Sequence, residues 1–589
     1  MAETLLSPGV FLNENDLSQI TAGPVAAGAA LLGPTVIGPV NIPTLVTSYS
    51  QYKAIFGAAF VSGGANYEYL TSIAALNYFE QGGQSLLVTR VASGSYTAAT
   101  ASVVGINGTS SFTLETLSVG SIMNNVSTGG VNGSLPSGSS ANVRWEVTGV
   151  DTGSGVFSIN IRRGDDYNNS KTILETWTNL SLDPNQNNYI AYVIGDQVQT
   201  VRQDSTGDYY LQTSGSYQNK SLYVRVASVA QPTPGYFNQV GIAQNIYTGS
   251  MPTLGSGSYN GAFGGAAGAI YGGYITSTNA TNSPLRMFEA IPTVASTTPA
   301  NNIQGLIPSD YNIGINLLEN TDAYDFNVVY APGLTSQNAA TQVSDLLLVA
   351  QGRGDNIAVI DMVGYGQQIN TVISQAVSYD NSYGATYWPW VQIRSRETGK
   401  VNFVPASTLV PAVYEYNDRV SAEWFAPAGL NRGSLSTVLQ PERKIGVNDR
   451  NLLYQGKVNP IATFPGVGTV IYGQKTLQQK PSALDRVNVR RLLIALKSYI
   501  GQLGEQIVFE PNTQVTRNKF LSQVNPYLES VQQRQGLYAF QVVMDETNNT
   551  PDVVDRNQLV GTIYLQPTKT AEFIQLDFNI LPTGATFGQ

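Results

Sequence analysis

Between residues 25 and 92, short apolar runs alternate with one segment of helical period. Leu70, Ile73, Ala74 and Leu76 predict a helix over Tyr67 to Phe79, which Gly82 and Gly83 bring to a stop. The run from Pro24 to Val40 is apolar enough to raise the question of a membrane span. Gly28, Gly33, Pro34, Gly38 and Pro39 interrupt it, and at roughly 1.5 Å per residue it is too short, so it predicts a buried strand pair. From about 95 to 290 the chain turns to Gly, Ser, Thr and Asn. Alternating segments such as Val143 to Val147 and Val156 to Ile161 predict strands joined by polar turns, with a helix over Ser170 to Trp177 as the exception. From 310 to 410, Phe326 to Tyr330 and Ile357 to Asp361 read as buried strands flanking a helix over Ala339 to Gln351, the grammar of a βαβ unit.

The helical pattern is sharpest from 481 to 503. Val489, Leu492, Leu496, Ile500 and Leu503 form one apolar stripe, and Ser482 with Asp485 makes a capping-box-like start. Arg486, Arg490, Arg491 and Lys497 fall on the remaining faces and predict a basic surface. Near the end, Ile574, Leu576, Phe578 and Ile580 alternate with polar residues, so a strand there puts four apolar side chains on one face. That face needs cover. Either a hairpin with Val560 to Leu565 supplies it, or the segment adds to a neighbouring subunit's sheet, with Val10, Phe11 and Leu12 of an extended N-terminal arm as a second donated strand.

Composition narrows the chemistry. Charged residues are 12% of the chain against about 25% in ordinary soluble domains, so much of its surface is uncharged polar groups or contact with other subunits. A large assembly and a Tyr-, Ser- and Asn-rich β protein both account for that figure. With no cysteine and no histidine, the chain excludes disulfides, His-bearing triads and the usual zinc ligand sets. No calcium-loop spacing is present, and no metal or cofactor is expected. The Gly-rich segment 261–268 lacks the Lys-Ser/Thr of a phosphate loop and reads as a flexible loop. Arg353-Gly354-Asp355 reads as a turn rather than an adhesion motif. Asp165 and Asp166 lie in a turn with no acid-base partner in view, so an enzyme is not expected. Met1-Ala2-Glu3-Thr4 lacks the basic start of a secretory signal.

The formal charge of −9 is unevenly spread. Arg394 to Arg534 hold 18 Lys/Arg against 10 Asp/Glu, a net of +8, which leaves −17 for the remainder. Such a chain suits a subunit that is soluble outwards and binds something acidic inwards. DNA is a poor candidate, because the basic residues are dispersed and no recognition motif accompanies them.

A series of punctuated segments then points to a family. In order they are Ser382 to Trp390, Val404-Pro405-Ala406-Ser407, Trp424 to Gly429, Tyr472 to Leu477, Val487 to Leu492 and Phe509-Glu510-Pro511-Asn512. Ser7-Pro8-Gly9-Val10, Gly38 to Ser48 with Phe56-Gly57, and Tyr78 to Gly83 with Leu87 to Val91 extend the series to the front. With these segments the chain resembles the contractile tail sheath family, over roughly two thirds of its length. It departs where the family often has Trp and Arg, at Tyr472 and Lys475.

The resemblance implies a multidomain α+β or α/β fold: an N-terminal arm over 1–22, a mixed α/β core over 23–94 and 291–460, and a β-rich solvent-facing insertion over 95–290. A C-terminal domain facing a tube over 461–566 and an arm strand over 567–589 complete it. The implied function is a helical sheath that contracts around an inner tube to deliver a genome through a host envelope. Its partners would be other copies of itself, a tail tube protein, and baseplate and tail terminator proteins, with no nucleic acid and no stable membrane insertion. The place would be a virion tail, assembled in the host bacterial cytoplasm, and Arg486, Arg490, Arg491 and Lys497 would face the tube. The sheath of a non-phage injection system, or a secreted surface-layer or adhesin-like protein, is the alternative.

Overall fold

The structure is a computed structural model that describes residues 25–62, 65–92, 98–119, 140–256, 304, 306 and 308–572. Its backbone is an eight-stranded sheet in the order Thr44–Val46, Leu86–Arg90, Val25–Gly33, Tyr324–Thr335, Ile357–Asp361, Gly384–Trp388, Asn459–Phe464 and Gly468–Ile471. The six inner strands run parallel, and an antiparallel strand closes each edge. Helices cover both faces, which is why Leu86–Arg90, Ile357–Asp361 and Gly384–Trp388 are buried at every position and appear in the sequence as runs rather than alternations.

The pleat sends neighbouring residues to opposite faces. Ala30 and Leu32 join Val343, Leu346 and Leu347 of the Ala340–Arg353 helix on one side, while Ala29 and Leu31 meet Ile73 and Tyr78 of the Leu70–Glu80 helix on the other. The expected βαβ unit is present, with Tyr324–Thr335 and Ile357–Asp361 parallel about that first helix. At the end of the second helix Gly83 is required by space: a Cβ there would stand 2.2 Å from a ring carbon of Tyr78. The apolar stretch up to Val40 is one strand and not a pair; after Gly33 only Val40 bridges, to Arg90. Pro34, Gly38 and Pro39 prevent a second strand.

The sheet recruits its strands from two distant parts of the chain and continues past residue 460 to Ile471. Between the parts lies the insertion, whose described residues form two three-stranded antiparallel sheets around a core of their own that includes Phe112, Leu114, Trp145, Phe157, Ile159 and Val226, together with a two-stranded hairpin of Val198–Gln203 and Tyr209–Ser214. The helix expected over 170–177 is a strand, Ile173–Ser181, paired with Val156–Arg163 through Trp177 against Ile159 and Leu180 against Phe157. Ile173, Leu174 and Trp177 have helical spacing, but pairing with an already apolar neighbour overrides it. Asp166 is a buried counter-ion: its carboxylate accepts from Arg162 Nε at 2.8 Å and Nη2 at 2.9 Å, with Arg144 Nη1 at 3.4 Å. The insertion rests on the core at both sides of the split, through Gly38 N to Ser118 Oγ at 2.8 Å, Arg90 Nη1 to Val119 O at 2.8 Å, and Tyr209 N to Asn316 Oδ1 at 2.8 Å.

A C-terminal unit follows. The Val487–Glu505 and Gln514–Gln533 helices pack with a hairpin of Leu537–Val543 and Thr562–Pro567 around Leu492, Leu496, Phe520, Val524 and Leu528. Ser482 caps a 3₁₀ turn over Ala483–Asp485 by accepting from Leu484 N, so it does not cap the α-helix, which starts two residues after that turn.

Candidate assembly site

The first two turns of the Val487–Glu505 helix are buried on opposite sides. Leu492, Leu496 and Leu503 of the expected stripe enter the C-terminal core, while Val487 and Ile494 enter the core on one face of the central sheet. Every residue from Val487 to Leu492 is buried, so the expectation of a basic surface fails for the arginines there. Arg491 donates from Nη1 to Asp418 Oδ1 at 2.8 Å and from Nη2 to Asp418 Oδ2, and its guanidinium lies 4.7 Å from the ring centre of Tyr414. Tyr414 in turn shares a 2.5 Å hydrogen bond with Tyr387 of the central sheet. Arg490 stacks 4.0 Å over Tyr383 and donates to Ser382 Oγ. Arg486 is ion-paired with Asp485 at 2.8 Å and Glu572 at 2.7 Å. Lys497 alone of the four is exposed. The arginines therefore hold the C-terminal helix to the central domain, two of them against residues of the Ser382 to Trp390 segment and the Val410–Val420 helix that no local pattern connects to them.

Val10, Phe11 and Leu12, and Ile574, Leu576, Phe578 and Ile580, lie outside the described residues, as does the Gly-rich segment 261–268. The hairpin expected between Val560–Leu565 and that last strand meets a competitor on one edge: Thr562–Pro567 pairs with Leu537–Val543. Arg353 is occupied within the fold, donating to Asp355, Leu318 O and Tyr324 O, and Gly354 closes its helix at φ 73°. That makes Arg353-Gly354-Asp355 the turn it was expected to be.

A groove of about 830 Å³ runs between the insertion and the core, walled by Ile37, Val40, Ile55, Leu117 and Val201. The Glu115–Arg225 ion pair, at 2.9 Å, is the charge along it, and such a pair supplies no nucleophile with a base. Among the described residues no group of three or more Asp or Glu could hold a metal, and no helix is long and apolar enough to cross a membrane.

Four carboxyls elsewhere are pushed up to about 7, in each case chiefly by burial: Glu68, Asp361, Glu415 and Glu442. Hydrogen bonds from Ser395 to Glu68, and from Ser407 Oγ to Asp361 at 2.5 Å, offset this only in part. Their unfolded values are about 4, so the stability they contribute is fully present below that pH and is lost as pH rises towards 7. The melting temperature should therefore fall between pH 5.5 and pH 8, and Asp361→Asn should flatten the slope. A melting temperature that climbs over this interval would contradict the assignment.

Comparison with known proteins gives this architecture a context. Residues 312–477 match the phage tail sheath protein central domain, and residues 479–580 match the phage tail sheath C-terminal domain. The tail sheath protein of Vibrio phage KVP40 is 37% identical over 236 residues, 39% of this chain and 35% of that protein. The tail sheath protein of Enterobacteria phage T4 is 39% identical over 187 residues, 32% of this chain and 28% of that protein. The chain thus spans about a third of the length of these relatives. Among solved structures, the sheath tail protein Lin1278 of Listeria innocua aligns over 93% of this chain and 96% of its own, with a TM-score of 0.48 and 10% identity.

Proposed function

A chain whose residues 312–477 and 479–580 are the central and C-terminal domains of phage tail sheath proteins belongs to the contractile tail sheath family, and we propose that it polymerises as a helical cylinder around an inner tube and contracts to drive that tube through a host envelope. The observation that carries the reading is the two matched domains lying end to end, with the Val487–Glu505 helix fastened into both. The partners follow from it: further copies of the chain, a tail tube, and baseplate and terminator proteins, with the virion tail as the place and the host cytoplasm as the site of assembly. The role is mechanical and non-enzymatic.

Contraction needs a source of work. The sequence has no nucleotide-binding motif, so the work comes from a metastable extended lattice relaxing to a better-packed one. Neighbours must stay joined while their bodies turn, and terminal strands donated to adjacent sheets do this without covalent links. Val10, Phe11 and Leu12, and Ile574, Leu576, Phe578 and Ile580, are the proposed donated strands. Lys497, exposed on the helix, is the residue left to face a tube.

Negative-stain electron microscopy of the purified full-length chain, alone and with tube protein, tests the reading. Hollow cylinders are the expected result. A chain that stays monomeric at high concentration under both conditions refutes it.

A further inference from the structure

Glu572 is the last described residue, and three side chains from other parts of the molecule converge on its carboxylate. Arg486 donates from Nε at 2.7 Å and from Nη2 at 3.0 Å, Tyr454 OH donates at 2.7 Å, and Gln474 Nε2 donates at 3.0 Å. The same Gln474 amide reaches Thr570 Oγ1 at 2.6 Å, and Lys475 Nζ sits 4.2 Å above the Tyr454 ring. Such a bidentate, charge-assisted set is directional and holds a carboxylate in one place.

None of these partners belongs to the hairpin that the chain has just left at Pro567. Tyr454 lies on the Val447–Gln455 helix covering the central sheet, Gln474 follows the edge strand Gly468–Ile471, and Arg486 precedes the Val487–Glu505 helix. Thr568 N still donates to Gly536 O at 3.1 Å beside the hairpin, so it is residues 569–572 that cross from the C-terminal hairpin to the edge of the central domain. The Glu572 and Arg486 side chains are 17% and 25% exposed, so water can replace the contacts once they part.

We infer that Glu572 is a latch that sets the free length of the C-terminal segment. This rests on the sheath reading, in which Ile574, Leu576, Phe578 and Ile580 dock on a neighbour. With the latch shut, chain length alone keeps Ile574 within about 7 Å of Glu572. With it open, the chain is held only up to Thr568, and the four residues released, 569–572, add about 14 Å of reach. Neighbouring bodies could then separate while the docked strand stays in place, because the partly water-accessible polar clasp yields before four buried apolar side chains do.

Two measurements separate the latch from the sheath reading. In the soluble full-length chain, Glu572→Gln and, from the opposite side, Tyr454→Phe should each speed hydrogen exchange across residues 569–572 about tenfold, with exchange in Tyr324–Thr335 unchanged. Unaltered protection in both variants overturns the latch. In assembled particles, Gln474→Cys with Glu572→Cys is joined by a short reducible thiol crosslinker, which is specific because the chain has no cysteine of its own. Crosslinked cylinders should fail to contract when triggered with urea, and should contract after reduction. Full contraction while crosslinked overturns the length-setting role and leaves the sheath assignment standing. If the unmodified chain forms no cylinders, the sheath reading and the length-setting role fail together, while hydrogen exchange still decides the latch.

Discussion

Removal of residues 573–589 should abolish cylinders while leaving the monomer as stable as before. The deleted stretch contains Ile574, Leu576, Phe578 and Ile580, one apolar face of a strand. At about 1.5–3 kcal/mol for each buried side chain, docking that face contributes at most about 6–12 kcal/mol per arm before ordering costs. The four apolar cores of the described chain are assembled without these residues. The competing arrangement is a third strand on the hairpin of Leu537–Val543 and Thr562–Pro567, within the same chain. It predicts the reverse pattern, a lowered urea midpoint for the truncated monomer with cylinders preserved. Parallel urea titrations and micrographs of the two chains therefore decide which sheet receives the arm. Keeping Glu572 in the truncated chain leaves its contacts out of the comparison.

Arg491→Met should destabilise the isolated chain by about 3 kcal/mol, the low end for breaking a buried ion pair, because the Asp418 carboxylate left without its cation is partly reached by water. Asp418 loses both of its hydrogen bonds from Arg491. Burial already holds Glu415 and Glu423 above the usual carboxylate range, and Arg491 counters that rise in each. Met keeps most of the volume, so the loss reports the charge more than a cavity. The readout is the urea midpoint of the soluble chain, and a loss below about 1 kcal/mol would show that other contacts hold the Val410–Val420 helix to the Val487–Glu505 helix. The same geometry makes charge reversal at Arg490 and Arg491 a folding experiment, whereas Lys497→Glu examines the helix surface without disturbing a core.

These two results separate what the sequence makes legible from what it does not. Buried parallel strands announce themselves as short apolar runs, so Phe326 to Tyr330 and Ile357 to Asp361 were readable, and the order of punctuated segments was enough to suggest the family. The Val487–Glu505 helix was readable as a helix, but a periodic stripe reveals one apolar face only. Its second buried face is created by elements far along the chain, and Asp418 stands 73 residues before the arginine it neutralises. Glu572 was hidden for the same reason, with partners 86 to 118 residues away. In Ile173–Ser181 the local spacing suggested a helix and the neighbouring strand decided otherwise.

The split origin of the central sheet bears on how the chain is made. Val25–Gly33 pairs with Tyr324–Thr335, roughly 300 residues later, so at about 5–20 residues per second its partner emerges from the ribosome some 15–60 s after it. The insertion, with its own apolar core, is complete well before then. Once folded it grips Gly38 and Arg90 on one side and offers Tyr209 N to Asn316 on the other. It thereby replaces a flexible closure of some 230 residues with the span of one folded body, which lowers the entropy that must be lost before the sheet can close. On the nascent chain the insertion is a folding scaffold, and loosening it should slow closure of the sheet and prolong exposure of the first strand's apolar faces.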